Sequence, residues 1–124
     1  MNKDIILIIG ASSDIGIDLI RNIDNGALIL AHYNSSKKRL VELAKKIDNE
    51  LVIIKADLSI EDQTRTMVKD IEKIYGVPNK IIHLAAPKFA NIRFKDIDLD
   101  DFQKEIEISL KSLIIILSNF LPKL

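Results

Sequence analysis

Short apolar runs alternate along the chain with stretches in which apolar residues recur every three or four positions. The apolar runs are Asp4–Gly10, Ala27–Tyr33, Leu51–Asp57 and Lys80–Ala86. Each run is short, continuous and rich in branched aliphatic residues, which is typical of strands buried on both faces of a parallel sheet. The pattern therefore predicts a strand at each of these runs.

A helical pattern follows each predicted strand. The expected inward faces are Ile15, Leu19, Ile20 and Ile23, then Leu40, Leu43, Ala44 and Ile47, then Met67, Val68, Ile71 and Ile74. Ser59 is expected to cap the third helix, with Asp62 three residues later. The segment "PKFANIRFKDID" predicts a loop with a helical turn, and a last helix is expected from Asp100 or Asp101 to about Leu121.

The alternating order βαβαβαβα predicts one α/β domain over residues 1–124. Parallel strands need right-handed crossover connections, and the predicted helices supply them. We therefore expect a parallel sheet between two layers of helices.

The amino-acid composition limits which classes of partner and metal site this chain can be expected to have. Lys and Arg together number 18, as do Asp and Glu, so no net charge favours nucleic acid or an anionic membrane. The chain has no cysteine, which excludes disulfides and thiolate metal sites, and His32 and His83 are too far apart in sequence to suggest a metal site. Both histidines lie in apolar strands, where we expect them to be packed and hydrogen-bonded. The apolar start is too short for a signal peptide, so a cytoplasmic protein is expected.

The segment "IIGASSDIG", residues 8–16, joins the first strand to the first helix. Gly10 permits a tight turn, Gly16 permits close approach, and Ser12 and Ser13 offer hydroxyl donors. A helix N-terminus at this edge of a parallel sheet suits a pyrophosphate. The spacing matches neither the phosphate loop of nucleoside triphosphatases nor the strict G-x-G-x-x-G fingerprint. The residues of this segment leave a phosphate-binding loop and a purely structural turn equally open.

The same segment, "GASSDIG", resembles the Thr-Gly-x-x-x-Gly-x-Gly cofactor loop of the short-chain dehydrogenase/reductase family. The resemblance continues in order through "ALILAHYNSS", "ADLS", "IIHLAAP" and "EISLKS". It implies a Rossmann-like three-layer α/β/α fold with strand order 3-2-1-4, which stops after the fourth strand and the following helix. It also implies an oxidoreductase that transfers hydride between a nicotinamide cofactor and a carbonyl or alcohol.

Several residues depart from the family pattern. Ile9 replaces the usual Thr and Asp14 replaces the middle Gly. His83 and Leu84 replace two Asn, and Ser109 stands at the position of the catalytic Asn. The letters "HLAA" are closer to the extended, epimerase-like branch, whereas "HYNSSKK" favours the classical branch. An epimerase-like member is thus an alternative.

The resemblance assigns a set of cofactor-binding positions. They are Gly10, Ser12, Ser13, Asp14, Ile15, Gly16, Tyr33, Asn34, Ser35, Ser36, Lys37, Asp57, Leu58, Ala85 and Ala86. Members that prefer NAD usually carry an acidic residue after the second strand, but "AHYNSSKKR" has none. NADP(H) is therefore favoured and NAD(H) is the alternative. Lys37, Lys38 and Arg39 also fit an ordinary solvated first turn of a helix.

The family's Tyr-x-x-x-Lys catalytic pair is not recognisable. Tyr33 and Lys37 have the spacing but lie at the adenosine end, and Tyr75 is followed by Asn79. In the family the active pair follows a fifth strand. We therefore expect the cofactor-binding half of a larger reductase, without its catalytic pair. The alternative is a non-catalytic module that binds a dinucleotide or dimerises.

The last predicted helix is apolar on nearly every face. We expect Ile106, Leu110, Leu113, Ile114, Leu117 and Leu121 to cover the sheet, and Ile108, Ile115 and Ile116 to need another cover. The family uses this helix between subunits. A homo-oligomer through Ile106–Leu121 is therefore expected, with no nucleic-acid or membrane partner.

Overall fold

The parallel sheet and its strand order are confirmed. A computed structural model describes residues 3–24, 26–85 and 93–124. Its strands are β1 (Ile5–Ile9), β2 (Leu28–Tyr33), β3 (Glu50–Lys55) and β4 (Lys80–His83). They pair in parallel in the order β3-β2-β1-β4. Each strand lies within the apolar run that predicted it or within one residue of its end.

Helices join the strands and continue after the last one. They are α1 (Asp14–Arg21), α2 (Lys38–Ala44), α3 (Glu61–Ile74), α4 (Leu99–Ile106) and α5 (Ser112–Phe120). A π-helical turn, Glu107–Lys111, connects α4 to α5, and we call these three elements together the C-terminal helix. Short 3-10 turns lie at Phe94–Asp96 and Leu121–Lys123. No helix in the described ranges is both long and apolar enough to cross a bilayer.

Strand alternation divides the core into two layers. Ile6 and Ile8 of β1 pack with the side chains of α1 and α2 on one face of the sheet. Leu7 and Ile9 pack with α3 and α5 on the other. Because both faces are covered, β1 needs apolar residues at every position, as its continuous run predicted.

Three details of the first and third helices were predicted wrongly. Ile15 is 68% exposed, because it lies about 140° around α1 from the buried Ile20. Ile74 is also exposed, since it borders an open groove between β3 and α3. Ser59 does not cap α3, because the N-cap residue is Ile60 and the Ser59 hydroxyl donates to Asp57 Oδ1 at 2.7 Å.

The inward face of the C-terminal helix also differs from the prediction. Ile115, Ile116 and Phe120 are buried, whereas Leu110, Ile114 and Leu121 are exposed. The π turn explains the difference, because its wider hydrogen-bonded turn breaks the three- and four-residue spacing on which the prediction depended. The helix also begins slightly earlier than expected, at Leu99, where the Asp98 carboxylate accepts from Asp100 N at 2.8 Å.

Ion pairs link the start of α3 to the C-terminal helix. Glu61 accepts from Arg65 at 2.9 Å and lies 2.8 Å from Lys111 in the π turn. Hydrogen bonds from Lys111 and Arg65 lower the pKa of Glu61 to about 2. Both partners are largely solvated, so these contacts orient the helix more than they stabilise it.

Candidate functional site

A groove lies at the carboxyl ends of β1, β2 and β3. It has a volume of about 440 Å³. Its lining residues are Gly10, Ser12, Ser13, His32, Tyr33, Asn34, Ser35, Ser36, Arg39, Asp57, Leu58, Leu84, Ala85 and Ile108. This edge is where open parallel α/β sheets bind ligands. Two larger surface grooves lie elsewhere, but neither is at a helix N-terminus that follows a glycine turn.

Both glycines of the first turn are required by close backbone packing. Gly10 has φ +79°, and a Cβ there would lie 2.7 Å from Ala85 N at the end of β4. Gly16 lies in α1 against the Ala11 carbonyl group, which a Cβ would strike. Gly16 therefore brings backbone against backbone within the turn, and it does not line the groove.

The turn presents unpaired amide groups at the start of α1. Ser13 is the N-cap residue, and its hydroxyl accepts from Gly16 N and donates to Gly10 O, both at 3.1 Å. Within the described part of the chain, no protein acceptor pairs with the amide N–H of Ser12, Asp14 or Ile15. Free N–H groups at a helix N-terminus attract anions.

An arginine at the start of α2 contacts the turn between β1 and α1. Arg39 Nη1 lies 2.9 Å from Asp14 Oδ1 and donates to Ser12 O at 3.1 Å. Lys37 does not line the groove, although the sequence singled it out. The only signal for Arg39 in the sequence was the basic run of residues 37–39 at the start of α2. The burial of Leu40 determines which side of α2 faces the core and hence which basic residue faces the loop.

The remaining predicted positions are only partly brought together. Asp57, Leu58 and Ala85 line the groove. Asp14, Ile15 and Gly16 are not lining residues, but Asp14 and Ile15 directly follow Ser13, which is, so their free N–H groups lie at the edge of the groove. Asp57 Oδ1 accepts from the backbone and side chain of Ser59, at 3.0 and 2.7 Å, so the carboxylate is engaged in its own turn. Ala86 lies outside the described residues.

Ser109 is directed into its own helix. Its hydroxyl donates to Glu105 O at 2.7 Å, four residues earlier. The residue of the π turn that reaches the groove is Ile108. Ser109, which stands at the position of the Asn in the family pattern, therefore does not line the groove.

Both histidines are hydrogen-bonded, as expected. His83 Nε2 lies 3.0 Å from Ser112 Oγ, which itself donates to Ile108 O. The Ser112 hydroxyl hydrogen is thus used, so His83 Nε2 is the donor. His32 lies in β2, with Nδ1 3.0 Å from Gly10 N and Nε2 2.8 Å from Ala56 O. Sequence reasoning did not place His32 at the site, because nothing in its pattern distinguishes it from an ordinary core residue.

Comparison with known families identifies the family of this chain. A family model described as short chain dehydrogenase matches residues 4–124. The chain belongs to this family. Sulfoacetaldehyde reductase 2 of Chromohalobacter salexigens is 24% identical over an alignment of 124 positions, which covers 98% of this chain and 49% of that protein. An uncharacterized oxidoreductase of Staphylococcus epidermidis is 18% identical over 100% of this chain and 54% of its own length.

Solved structures share the fold of this chain. A short-chain dehydrogenase/reductase from Serratia marcescens aligns with a TM-score of 0.84 and 19% identity, over 96% of this chain and 50% of that one. A blue fluorescent protein from a metagenomic library, solved with NADPH, aligns with a TM-score of 0.84 and 20% identity, over 99% and 52%. The chain spans about half the length of the curated relatives and solved structures that it matches.

Proposed function

We propose that this chain binds NADP(H) in the groove, as the cofactor-binding half of an oxidoreductase that acts on a carbonyl or alcohol. The observation that carries this proposal is the set of free amide groups at the N-terminus of α1, beside the Arg39 guanidinium. Family membership supports the reaction class. The substrate loop of the family follows the part represented here, so no substrate is proposed.

The residues of the loop fit a pyrophosphate. Free N–H donors at Ser12, Asp14 and Ile15 supply hydrogen bonds to anionic oxygens, and the dipole of α1 adds partial positive charge. The Asp14 carboxylate opposes this, but it is exposed and paired with Arg39. The loop therefore offers donors without an unpaired negative charge beside them.

The adenosine end favours a 2′-phosphate. The residues after β2 that line the groove are Asn34, Ser35 and Ser36, none of which is acidic. Arg39 uses Nη1 for its described contacts, so its other donors are available to a second anion. Two structural neighbours support this preference, the metagenomic blue fluorescent protein with NADPH and a putative dehydrogenase from Burkholderia cenocepacia with NADP. NAD(H) is the alternative.

At the nicotinamide end of the groove, the residues of this chain contribute apolar packing surface. When bound, the cofactor supplies or accepts the hydride. Leu84, Ala85 and Ile108 form an apolar wall there. Tyr33 lines the opposite, adenosine end, so we do not assign it as the proton donor to the substrate.

Calorimetric titration with NADPH and NADH tests the proposal. We expect saturable binding of both, tighter for NADPH. In Arg39→Ala the loss of a charge-assisted hydrogen bond, typically about 1.5–3 kcal/mol, is expected to weaken NADPH binding roughly tenfold or more. NADH binding is expected to weaken as well, because Asp14 loses its partner beside the pyrophosphate, but by less than about threefold, since that pair is exposed and contributes little.

Arg21→Ala is the matched control, because Arg21 is an exposed arginine on α1 that pairs with Asp18 away from the groove. It is expected to bind both cofactors as the unmodified chain does. If Arg39→Ala weakened NADPH and NADH equally, the 2′-phosphate assignment would be wrong. If a folded chain bound neither cofactor, the proposal itself would be wrong.

A second candidate role is dimerisation, which the exposed apolar side chains of the C-terminal helix favour. Leu110, Ile114 and Leu121 recur on one side of the helix and are each more than half exposed. We propose that a second copy of the chain covers them. Light scattering is expected to give twice the 14.0 kDa chain mass. A dimer that binds no dinucleotide would favour a non-catalytic module, and a monomer would contradict the dimer.

A further inference from the structure

His32 joins two segments that border the groove. The ring is 2% exposed and lies within the sheet on β2. Nδ1 is 3.0 Å from the Gly10 amide nitrogen, and Nε2 is 2.8 Å from the Ala56 carbonyl oxygen. One side chain thus connects the turn after β1 to the turn after β3.

The partners determine where the ring carries its proton. A backbone N–H only donates, so Nδ1 must present its lone pair to Gly10. A carbonyl oxygen only accepts, so Nε2 must carry the hydrogen that is donated to Ala56. His32 is therefore neutral in this arrangement. A second proton would go to Nδ1, where it would face the Gly10 N–H and replace a hydrogen bond with two opposed donors.

Gly10 has little freedom to accommodate that change. Its φ of +79° and its contact with the Ala85 backbone hold it against the end of β4. The Ser13 amide and hydroxyl both bond to Gly10 O, so a displaced Gly10 also displaces the N-cap residue of α1. Protonation of His32 would therefore move the loop that carries the free amide groups.

Burial also favours neutral His32. Burial lowers the pKa of His32, the hydrogen bond to Ala56 O raises it by less, and His83, on β4 beyond β1, lowers it slightly, so the pKa is lowered overall. Tyr33, Arg39 and Asp57 are the other titratable or charged residues that line the same groove. The Asp57 carboxylate is bonded to Ser59, and neither ring nitrogen contacts a carboxylate.

We propose that His32 is a positioning residue, whose neutral Nε2–H form holds Gly10 and the phosphate loop in the shape that binds a dinucleotide. This inference rests on the proposed function. It predicts that dinucleotide binding by this chain is lost in acid because of one residue that does not itself bind the phosphate.

The test is the dissociation constant of NAD⁺ measured between pH 5 and 8. NAD⁺ is the better probe, because a phosphate monoester such as the 2′-phosphate itself titrates near pH 6. If only the neutral form binds, the dissociation constant rises tenfold for each pH unit below the pKa of His32. Because that pKa is lowered, the rise is expected below pH 6.5, with a flat profile above it.

Two variants identify the responsible residue. His32→Gln carries an amide that does not titrate, so its NAD⁺ binding is expected to be weaker at pH 7.5 but independent of pH. His83→Gln is the control, because it removes the other histidine, and its acid loss is expected to persist. A dissociation constant that stays unchanged at a pH where NMR shows the His32 ring of the free chain to be protonated would overturn the inference, and so would the same acid loss in a folded His32→Gln.

NMR of the unmodified chain gives a second readout that does not need the variants. The His32 ring nitrogens are expected to show the Nε2–H tautomer, and NAD⁺ is expected to lower the pKa of His32 further. An unchanged His32 pKa in the complex would overturn the inference while the proposed function stands. No NAD⁺ or NADP⁺ binding at any pH would overturn the proposed function and this inference together.

Discussion

Gly16→Ala is expected to destabilise the chain by at least about 3 kcal/mol, although alanine is the better helix former. In an exposed helix the substitution would stabilise by up to about 1 kcal/mol. Here the new Cβ would strike the Ala11 carbonyl group, which belongs to the backbone of the same turn and cannot rotate away. Overpacking typically costs about 1–3 kcal/mol, and a clash with backbone lies at or above the top of that range. Urea unfolding measures the change as a lower midpoint.

Ile15→Ala is the matched control for Gly16→Ala. Ile15 is the preceding residue on α1 and its side chain is mostly exposed, so its loss is expected to change stability by about 0.5 kcal/mol or less. A Gly16→Ala chain as stable as the unmodified one would show that α1 does not pack on Ala11 as described. For the same reason, if a Gly16 variant lost cofactor binding, its folding would have to be checked before the loss could be assigned to a phosphate contact.

Phe120→Ala is expected to cost about 3–5 kcal/mol, the usual range for a buried phenylalanine. The ring is fully buried and belongs to the core layer that joins Leu7 and Leu30 of the sheet to α3. Its removal leaves a cavity between the C-terminal helix and the sheet. Equilibrium unfolding is expected to show a lower midpoint with little change in slope.

Leu121→Ala is the control for Phe120→Ala, because the two residues are neighbours and the sequence pattern assigned Leu121 to the sheet. Leu121 is more than half exposed in the single chain, so a loss of less than about 1 kcal/mol is expected when unfolding is measured at a chain concentration too low for dimers to form. The opposite ranking, with Leu121 costing more than Phe120, would mean that the C-terminal helix packs through the face that its sequence pattern predicted.

The sequence predicted the sheet well because burial on both faces leaves a simple signature. The continuous apolar runs of β1 to β4 are typical of strands in the core of a sheet. The order of these strands was predicted from the right-handed crossover rule together with the family resemblance. Helix faces were less predictable. A π turn at Glu107–Lys111 changes the angle by which successive residues rotate around the helix axis, and nothing in the residues "EISLK" predicts such a turn.

The sequence predicted the parts of the candidate site that lie within one segment, but not the contacts between distant segments. The resemblance identified the loop around Gly10 and the segment after β2, both of which line the groove. Arg39 and His32 were missed, because their importance comes from partners 27 and 22 residues away, Ser12 and Gly10. Spacing within one segment carries no information about such contacts, which depend on how β2 and α2 pack against the first turn.

The central claim, that a dinucleotide occupies the groove at the start of α1, is tested most directly by NMR with an ¹⁵N-labelled chain and NADPH. We predict that the largest amide shifts occur at Ser12, Asp14 and Ile15, where the free N–H groups lie, with smaller shifts at Asn34–Ser36. Shifts confined to the groove between β3 and α3, or no shifts with a folded chain, would contradict the account.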